Sequence, residues 1–171
     1  SLLMVHLIIN RENLFPDNWL FIHAREVKVA RIQNYKNWSA RMVPDPTKTS
    51  LGLEYFCVEN DEFWNQSEER LIAIATEEVE KLNIADGHAI LDAFVFKIPH
   101  AYPVYYRGYR EPLKTVKHYL ATFPNLQTVG RGGMYQYSHM YHSILTGLLA
   151  ARNILGSSFD IWHLNVNEED Y

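Results

Sequence analysis

A glycine-rich turn that carries one arginine lies near the carboxyl end of the chain. Its glycines are Gly130, Gly132 and Gly133, and Arg131 stands among them. A guanidinium group forms paired hydrogen bonds with a phosphate or a carboxylate. The turn is not a phosphate loop, because no Lys-Ser or Lys-Thr follows it. It is not the dinucleotide fingerprint either, because Tyr135 stands where that motif requires a glycine.

The predicted elements around this turn are an apolar strand over residues 126–129 and a helix that begins near Ser138 to Ser143. Apolar residues recur along the helix at helical spacing, and Gly156 follows them where a left-handed residue closes many helices. No acidic side chain lies in the first turn, so its N–H groups and positive dipole end are available to an anion or a polar ring edge. Such units are also common in α/β proteins, so a purely structural role is the alternative interpretation.

Other residue types that could carry chemistry surround the turn. His139 and His142 are spaced to share a helix face, but a metal needs a third ligand and none is evident nearby, so we predict no metal site. Ser143, His142 and Asp160 do not form a recognisable triad, because the nucleophile-elbow pattern is absent. The catalytic residues therefore remain unknown from the sequence.

Two further segments are rich in aromatic residues and arginines. The run HAYPVYYRGYR contains Tyr105 and Arg107, whose ring and guanidinium suit a sugar or an anion. The loop over residues 36–50 is long and contains Trp38, which makes it a candidate binding loop. A packing role for Trp38 is the alternative interpretation.

Composition restricts the classes of protein to which the chain can belong. It has 171 residues, 47% of them hydrophobic, with a net charge of −4 and a pI near 6.0, which argues against a nucleic-acid surface. Cys57 is the single cysteine, so no intrachain disulfide forms and a reducing, cytoplasmic location is expected. No apolar run is long enough to span a membrane. The chain starts in the middle of a strand-like run, so we expect a fragment of a longer protein.

Alternating and helical patterns predict an α+β fold with an antiparallel sheet of about five strands, helices, and the strand–helix unit described above. The predicted strands cover residues 3–9, 19–24, 27–35, 51–58 and 89–98. The first three, short and separated by brief polar breaks, indicate an antiparallel meander. Ser67 starts a predicted amphipathic helix whose acidic outer face we interpret as solvated. Its buried stripe is Leu71, Ile72, Ala75, Val79 and Leu82. Pro112 fits the first turn of a further helix.

The run VGRGGMYQYSHM, residues 129–140, resembles the closing FAD motif of the UDP-galactopyranose mutases. The remainder of the chain resembles the C-terminal part of bacterial FAD-dependent amine-oxidase-like oxidoreductases, a group often associated with surface-polysaccharide biosynthesis. The shared segments are RENLFPDNW, RIQNYKNWS, PDPTKTSLGLEYFC, AYPVY and HSILTGLLAARNILG.

This resemblance implies a domain organisation and a function. Residues 1–106 would be the antiparallel sheet and helix of a substrate domain, 107–156 a helix–strand–helix segment of the FAD-binding domain, and 157–171 a C-terminal tail. The parent would be an FAD-dependent oxidoreductase or a sugar-modifying flavoenzyme. The alternative is a non-catalytic binding or interaction module that retains part of this fold. Because the dinucleotide fingerprint is missing, we expect this chain alone to be inactive and to hold no FAD.

The resemblance also implies roles for individual residues. Arg131 would contact the flavin side, Tyr137 the substrate phosphates, and Met140 the flavin at the helix start. Two positions favour opposite conclusions. His139 replaces an aspartate of the mutases, which argues against their substrate recognition. Arg131 stands where amine oxidases carry an acidic residue, which favours the mutases. We assign the cofactor side to Gly130, Arg131, Gly133, Met140 and Ser143. We assign the substrate side to Tyr137, His139, Tyr105, Arg107 and Trp38.

The expected partners follow from the same resemblance. They are an N-terminal dinucleotide-binding part and a small-molecule substrate such as a nucleotide sugar. Gly147, Ala150 and Ala151 form a small-residue patch, and an uncovered apolar surface favours pairing with another chain. We therefore predict a homodimer or larger assembly, unless the tail 157–171 folds back over the patch.

Overall fold

The computed structural model describes residues 1–164, so the last seven residues of the predicted tail 157–171 lie outside the described part. The chain divides into two compact units, Ser1–Pro99 and His100–Tyr171. Each unit has its own set of buried apolar side chains.

Five antiparallel strands form one sheet in the first unit. They are β1 (Leu2–Ile9), β2 (Trp19–Phe21), β3 (Arg31–Asn34), β4 (Thr49–Phe56) and β5 (Ile90–Ile98). Across the sheet they follow the order β2-β3-β4-β1-β5. This sheet, together with the helices of both units, confirms the predicted α+β class.

The predicted meander of the first three strands is wrong. β1 lies at the centre of the sheet and pairs with β4 and β5, whereas β2 pairs with β3 at an edge. Leu3, Val5 and Leu7 of β1 are fully buried, while both ends of β2 are exposed. A strand with this much apolar surface is best buried between two neighbouring strands. For β1 these neighbours are β4 and β5, which are distant in the sequence.

Helix α2 (Glu68–Lys81) packs on one face of the sheet. Its first turn is capped by Ser67, whose Oγ accepts a hydrogen bond from the N–H of Arg70. Leu71, Ala75 and Val79 are fully buried, and Ile72 and Leu82 are packed against the same core. These contacts confirm the predicted apolar stripe.

The acidic outer face of α2 is solvated as predicted, since Glu68, Glu69, Glu77 and Glu80 are exposed, whereas Glu78 lies on the buried side beside Ala75 and Val79. Glu78 is 4% exposed and accepts hydrogen bonds from the N–H groups of Lys28 and Val29 and from the hydroxyl of Tyr55. A buried carboxylate is stable only when donors replace its water. Three donors from two other segments meet that condition here.

The opposite face of the sheet carries aromatic and polar side chains. Helix α1 (Tyr35–Trp38) follows β3 and places the Tyr35 ring over the buried Gly52 of β4. The His6 ring is stacked between Tyr35 and Phe94, with ring centroids 5.3 and 4.8 Å away.

Cys57, which follows β4, is half-buried. Desolvation raises the pKa of its thiol, so Cys57 is a poor nucleophile.

The second unit contains α3 (Arg110–Leu120), α4 (Gly130–Met134) and α5 (Met140–Ile154). Pro112 lies in the first turn of α3, and Gly156 follows α5 with a left-handed φ of 101°, which confirms both helix predictions. The predicted strand over residues 126–129 is wrong, since within the described range this segment joins no sheet. The glycine turn that follows this segment forms the short helix α4.

None of the helices described is long and apolar enough to cross a membrane.

The small core of the second unit consists of Met134, Leu149, Ala150 and Ile161. Ala150 is therefore a core residue and does not belong to the small-residue patch predicted for dimer contacts. Other apolar side chains of α5 are exposed, including Met140 (79%) and Leu148 (58%).

Candidate ligand site at the glycine turn

Gly130 opens α4 in a conformation that favours glycine. Its φ is 73°, a left-handed value that strains a residue with a side chain. Its N–H donates a 2.9 Å hydrogen bond to Oγ1 of Thr146, which in turn donates to the Ser143 carbonyl. Gly130 therefore ties the start of α4 to the middle of α5.

Gly132 and Gly133 differ from Gly130, because neither their backbone conformation nor crowding by the described residues requires glycine at these positions. Neither has a positive φ. A Cβ atom at Gly132 would meet no heavy atom within 4 Å, and one at Gly133 would lie 3.9 Å from Cβ of Thr128. Both residues are exposed on α4. Their missing side chains leave room for another molecule to approach the backbone closely.

Arg131 lies beside these glycines and is committed to contacts within its own unit. Its Nε and Nη2 atoms both donate to the carbonyl oxygen of Ser138, with Nε at 2.8 Å. Its Cζ atom lies 4.8 Å from the ring centroid of Tyr137 and 5.2 Å from that of Tyr102. The two rings are stacked, with centroids 5.5 Å apart and planes inclined by 19°. The guanidinium thus holds a pair of tyrosine rings together with a buried backbone turn.

Tyr105 connects the segment before α3 with the loop between α4 and α5. Its hydroxyl accepts a 2.6 Å hydrogen bond from the N–H of Tyr137, and its ring is stacked on Tyr109 at 4.5 Å. The hydroxyl of Tyr135 returns a 2.6 Å hydrogen bond to the Val104 carbonyl. Tyr105, predicted to touch a substrate, therefore supports the loop that presents Tyr137.

The start of α5 is exposed and contains no acidic residue in its first turn, all of which lies in the described range. His139 precedes the helix, and its N–H donates to Nδ1 of His142 at 3.2 Å. One of the N–H groups predicted to be available is therefore occupied by an imidazole. Met140 is 79% exposed, and Ser143 lies one turn later beside Gly130.

Arg107 and Trp38 are the other two predicted substrate residues. Arg107 is exposed in the turn before α3. Trp38 belongs to the first unit, where its ring packs edge-on against Trp19 at 5.3 Å and remains 46% exposed. Described contacts join Gly130 to Ser143, and Ser143 to His139. Others join Arg131 to Tyr137, and Tyr137 to Tyr105.

Tyr102 and Ser138 take part in the site but were not predicted. Tyr102 precedes Pro103, and a residue before proline is restricted to extended conformations, which is the one sequence signal that marks it. Ser138 participates through its carbonyl oxygen, a group that every residue type carries. No pattern of side chains can identify such a contact.

A groove of about 1300 Å³ opens beside this site in the second unit. Arg110, Lys114 and Lys117 of α3 line it on one side, and Tyr137 and Trp162 contribute aromatic rings. Lys117 places its Nζ atom 4.4 Å from the Trp162 ring. The lining is basic and aromatic, and among the described residues its one carboxylate is Asp160. The hydrogen bond of Asp160 with His163 lowers the pKa of this carboxyl.

The first unit carries a separate polar centre on its aromatic face. Glu54 of β4 is 1% exposed, and its two carboxylate oxygens are occupied by Arg31 and by Gln33. Burial, followed by the nearby Glu54 charge, raises the pKa of Tyr35 to about 12. The Arg31 guanidinium also faces the Trp19 ring at 5.4 Å. Both charges of the ion pair are thus already balanced within the sheet.

The chain matches no protein-family model, and no curated protein matches it. The solved structures to which it is similar include those of two other proteins. One is reduced UDP-galactopyranose mutase, with a TM-score of 0.76 and 18% identity over 94% of this chain and 35% of that one.

The other is a protein described as a protoporphyrinogen oxidase from Exiguobacterium sp. 255-15. Its TM-score is 0.56, with 18% identity over 76% of this chain and 29% of that one. The chain spans about a third of the length of these two structures. The predicted resemblance to the mutases is thus confirmed at the level of the fold: the chain folds like part of UDP-galactopyranose mutase.

Proposed function

We propose that this chain is the C-terminal part of an FAD-dependent oxidoreductase or sugar-modifying flavoenzyme. In this proposal it supplies part of a substrate pocket and one edge of the flavin site, and a dinucleotide-binding part supplies the rest. The observation that carries the proposal is the similarity to UDP-galactopyranose mutase over 94% of the chain.

The residues of the glycine turn fit a flavin cofactor. Gly132 and Gly133 lack side chains where the chain itself leaves space, as a closely approaching ring or phosphate would require. The exposed start of α5 offers its dipole end, Met140 and Ser143. When bound, FAD would supply the electron-transfer chemistry. The role of the chain would be to orient the cofactor and to exclude water.

On the substrate side, the proposal keeps Tyr137 and His139 as residues that face a bound molecule. Tyr105 supports Tyr137 through its hydroxyl. Trp38 and Trp19 present partly exposed rings, and flat apolar faces of this kind suit a sugar ring. A nucleotide sugar, and with it a role in polysaccharide biosynthesis, is the substrate class that we propose.

The experiment compares cofactor content with stability. The chain is produced both alone and joined to the dinucleotide-binding part of its parent. Flavin is measured by absorbance at about 450 nm, the band of the cofactor itself. The chain alone should be colourless, and the joined protein yellow. In the joined protein, Gly132→Ala and Gly133→Ala should each weaken FAD binding at least about tenfold, which corresponds to about 1.4 kcal/mol, and lower the FAD content.

The same substitutions in the chain alone act as the control. Gly132 and Gly133 lie in α4 with no crowding, so alanine should leave the unfolding free energy unchanged or raise it by up to about 1 kcal/mol. Gly130→Ala should instead destabilise, because its φ is 73°. Full FAD content in both the Gly132→Ala and Gly133→Ala proteins would contradict the proposed cofactor edge. A flavin-free joined protein would favour a non-catalytic binding module.

A further inference from the structure

We infer that Arg131 is a positioning residue for Tyr137, and that it acts through this tyrosine on the molecule that Tyr137 faces. The proposed function is needed only to say what Tyr137 faces. The inference about Arg131 rests on contacts within the second unit.

The first argument concerns the donors of the guanidinium. A guanidinium recognises a phosphate or a flavin oxygen most strongly when two N–H groups of one edge point at it. The Nε and Nη2 atoms form one such edge, and both donate to the carbonyl oxygen of Ser138. Ser138 is 5% exposed, so this carbonyl would lose a charged donor in an enclosed place if the contact broke.

The second argument concerns the faces of the two tyrosine rings. The Cζ atom of Arg131 lies within 5.2 Å of both ring centroids, and the rings are stacked on each other. A cation near an aromatic face contributes about 0.5–2 kcal/mol, depending on its exposure to water. Arg131 thus stabilises one arrangement of Tyr102 and Tyr137.

The third argument is that Tyr137 is held on both sides of its Cα atom. Its own N–H donates to the Tyr105 hydroxyl at 2.6 Å. The carbonyl of Ser138, the next residue, is held by Arg131. With both flanking segments and its ring fixed, Tyr137 has little freedom left. A preorganised side chain binds a ligand without losing further conformational entropy.

The first test uses the ligand-free chain and records the aromatic NMR signals of Tyr102 and Tyr137. Arg131→Gln removes the charge, and Arg131→Lys keeps the charge but loses the planar fork. Both variants should shift the ring signals of both tyrosines. Arg152→Gln, an exposed arginine of α5, is the matched control and should leave them unchanged. Unmoved Tyr137 signals in Arg131→Gln would overturn the inference.

The second test separates positioning from direct contact with a double-mutant cycle and UDP as the probe. Arg131→Gln should weaken UDP binding about tenfold, which corresponds to about 1.4 kcal/mol. In a Tyr137→Ala background the same change should weaken binding by less than about twofold, because the residue it positions is gone. Equal tenfold losses in both backgrounds would show direct contact and overturn the inference.

The two tests also distinguish the inference from the proposed function. If the wild-type chain binds no UDP, the proposed phosphate-facing role of Tyr137 fails in this chain. The ring signals of Tyr102 and Tyr137 then decide on their own whether Arg131 positions them.

Discussion

The hydroxyl of Tyr55 donates a 3.0 Å hydrogen bond to Oε2 of Glu78 inside the core of the first unit. The bond joins β4 to α2, and the same carboxylate also accepts the N–H groups of Lys28 and Val29. Burial, with the Glu78 charge as a second cause, raises the pKa of Tyr55 well above its usual value. Tyr55 therefore stays protonated and remains a donor at every ordinary pH.

We predict that Glu78→Ala destabilises the first unit by about 2–5 kcal/mol, because it leaves three donors without their acceptor. The measurement is the unfolding free energy from urea titration. Glu77→Ala is the matched control, since Glu77 is the adjacent residue, 53% exposed, and pairs with Arg70 at the surface. It should cost less than about 0.5 kcal/mol. Similar costs for both variants would show that the buried network adds little.

Glu78 also shows the limit of the sequence-based prediction of this unit. Apolar periodicity identified α2 and its buried stripe, because side chains spaced along one helix face share an environment. Glu78 lies beside that stripe in a run of acidic residues, and its burial depends on donors from Tyr55 and from the segment before β3. Partners so distant in sequence leave no local signal. The central position of β1 escaped prediction for the same reason.

Only those parts of the site that depend on residues close together in the sequence could be predicted. Gly130 and the start of α5 were found from short-range patterns, since turns and helix ends depend on neighbouring residues. Residues 126–129 have an apolar strand pattern, yet a strand needs a partner, and none pairs with it among the described residues. The contacts of Arg131 with Tyr102 and Ser138 required the folded chain.

We next predict that Gly52→Ala is destabilising because of Tyr35. A Cβ atom at Gly52 would lie 2.4 Å from the Tyr35 Oη atom and 2.9 Å from its Cζ atom, so the ring must move. Overpacking of this kind costs about 1–3 kcal/mol. The pKa of Tyr35, raised to about 12 by burial and Glu54, should fall as the ring becomes exposed. Urea unfolding and ultraviolet titration of the phenol measure the two effects.

The control for this prediction is the double variant with Tyr35→Ala. Once the ring is removed, Gly52→Ala should cost less than about 0.5 kcal/mol, because the atoms that it would meet are absent. Gly147→Ala, where a Cβ meets nothing within 4 Å, should not destabilise the chain. An undiminished cost in the Tyr35→Ala background would locate the strain elsewhere.

A third prediction concerns the pH dependence of stability. Burial between Tyr35 and Phe94 lowers the pKa of His6 below its usual value of 6.5. The unfolded chain therefore binds a proton at His6 more readily than the folded chain does. Its contribution to stability is present above about pH 6.5 and is lost as the pH falls below that value.

The measurement is the NMR titration of the His6 ring, together with urea unfolding between about pH 7 and pH 5. His6→Phe keeps an aromatic ring in the stack and should reduce the loss of stability on acidification. His88→Gln changes an exposed histidine and should retain the His6 contribution. If His6 titrates at or above 6.5, its burial does not penalise the charged form.

A final prediction is that the chain self-associates through α5. Met140, Ile144, Leu148 and Leu155 are between 57% and 87% exposed on this one helix and its C-cap, and exposed apolar patches usually mark interfaces. Light scattering at micromolar concentration should give a mass above the 20.0 kDa of one chain.

Leu148→Glu should shift that mass towards one chain, because pairing would bury an unpaired charge. Val58→Glu is the control: Val58 is 72% exposed and lies in the first unit, so its change should leave the mass unaltered. A mass near 20.0 kDa at every concentration would show that this surface attracts no second copy. Loss of association in Val58→Glu but not in Leu148→Glu would instead locate the contact in the first unit.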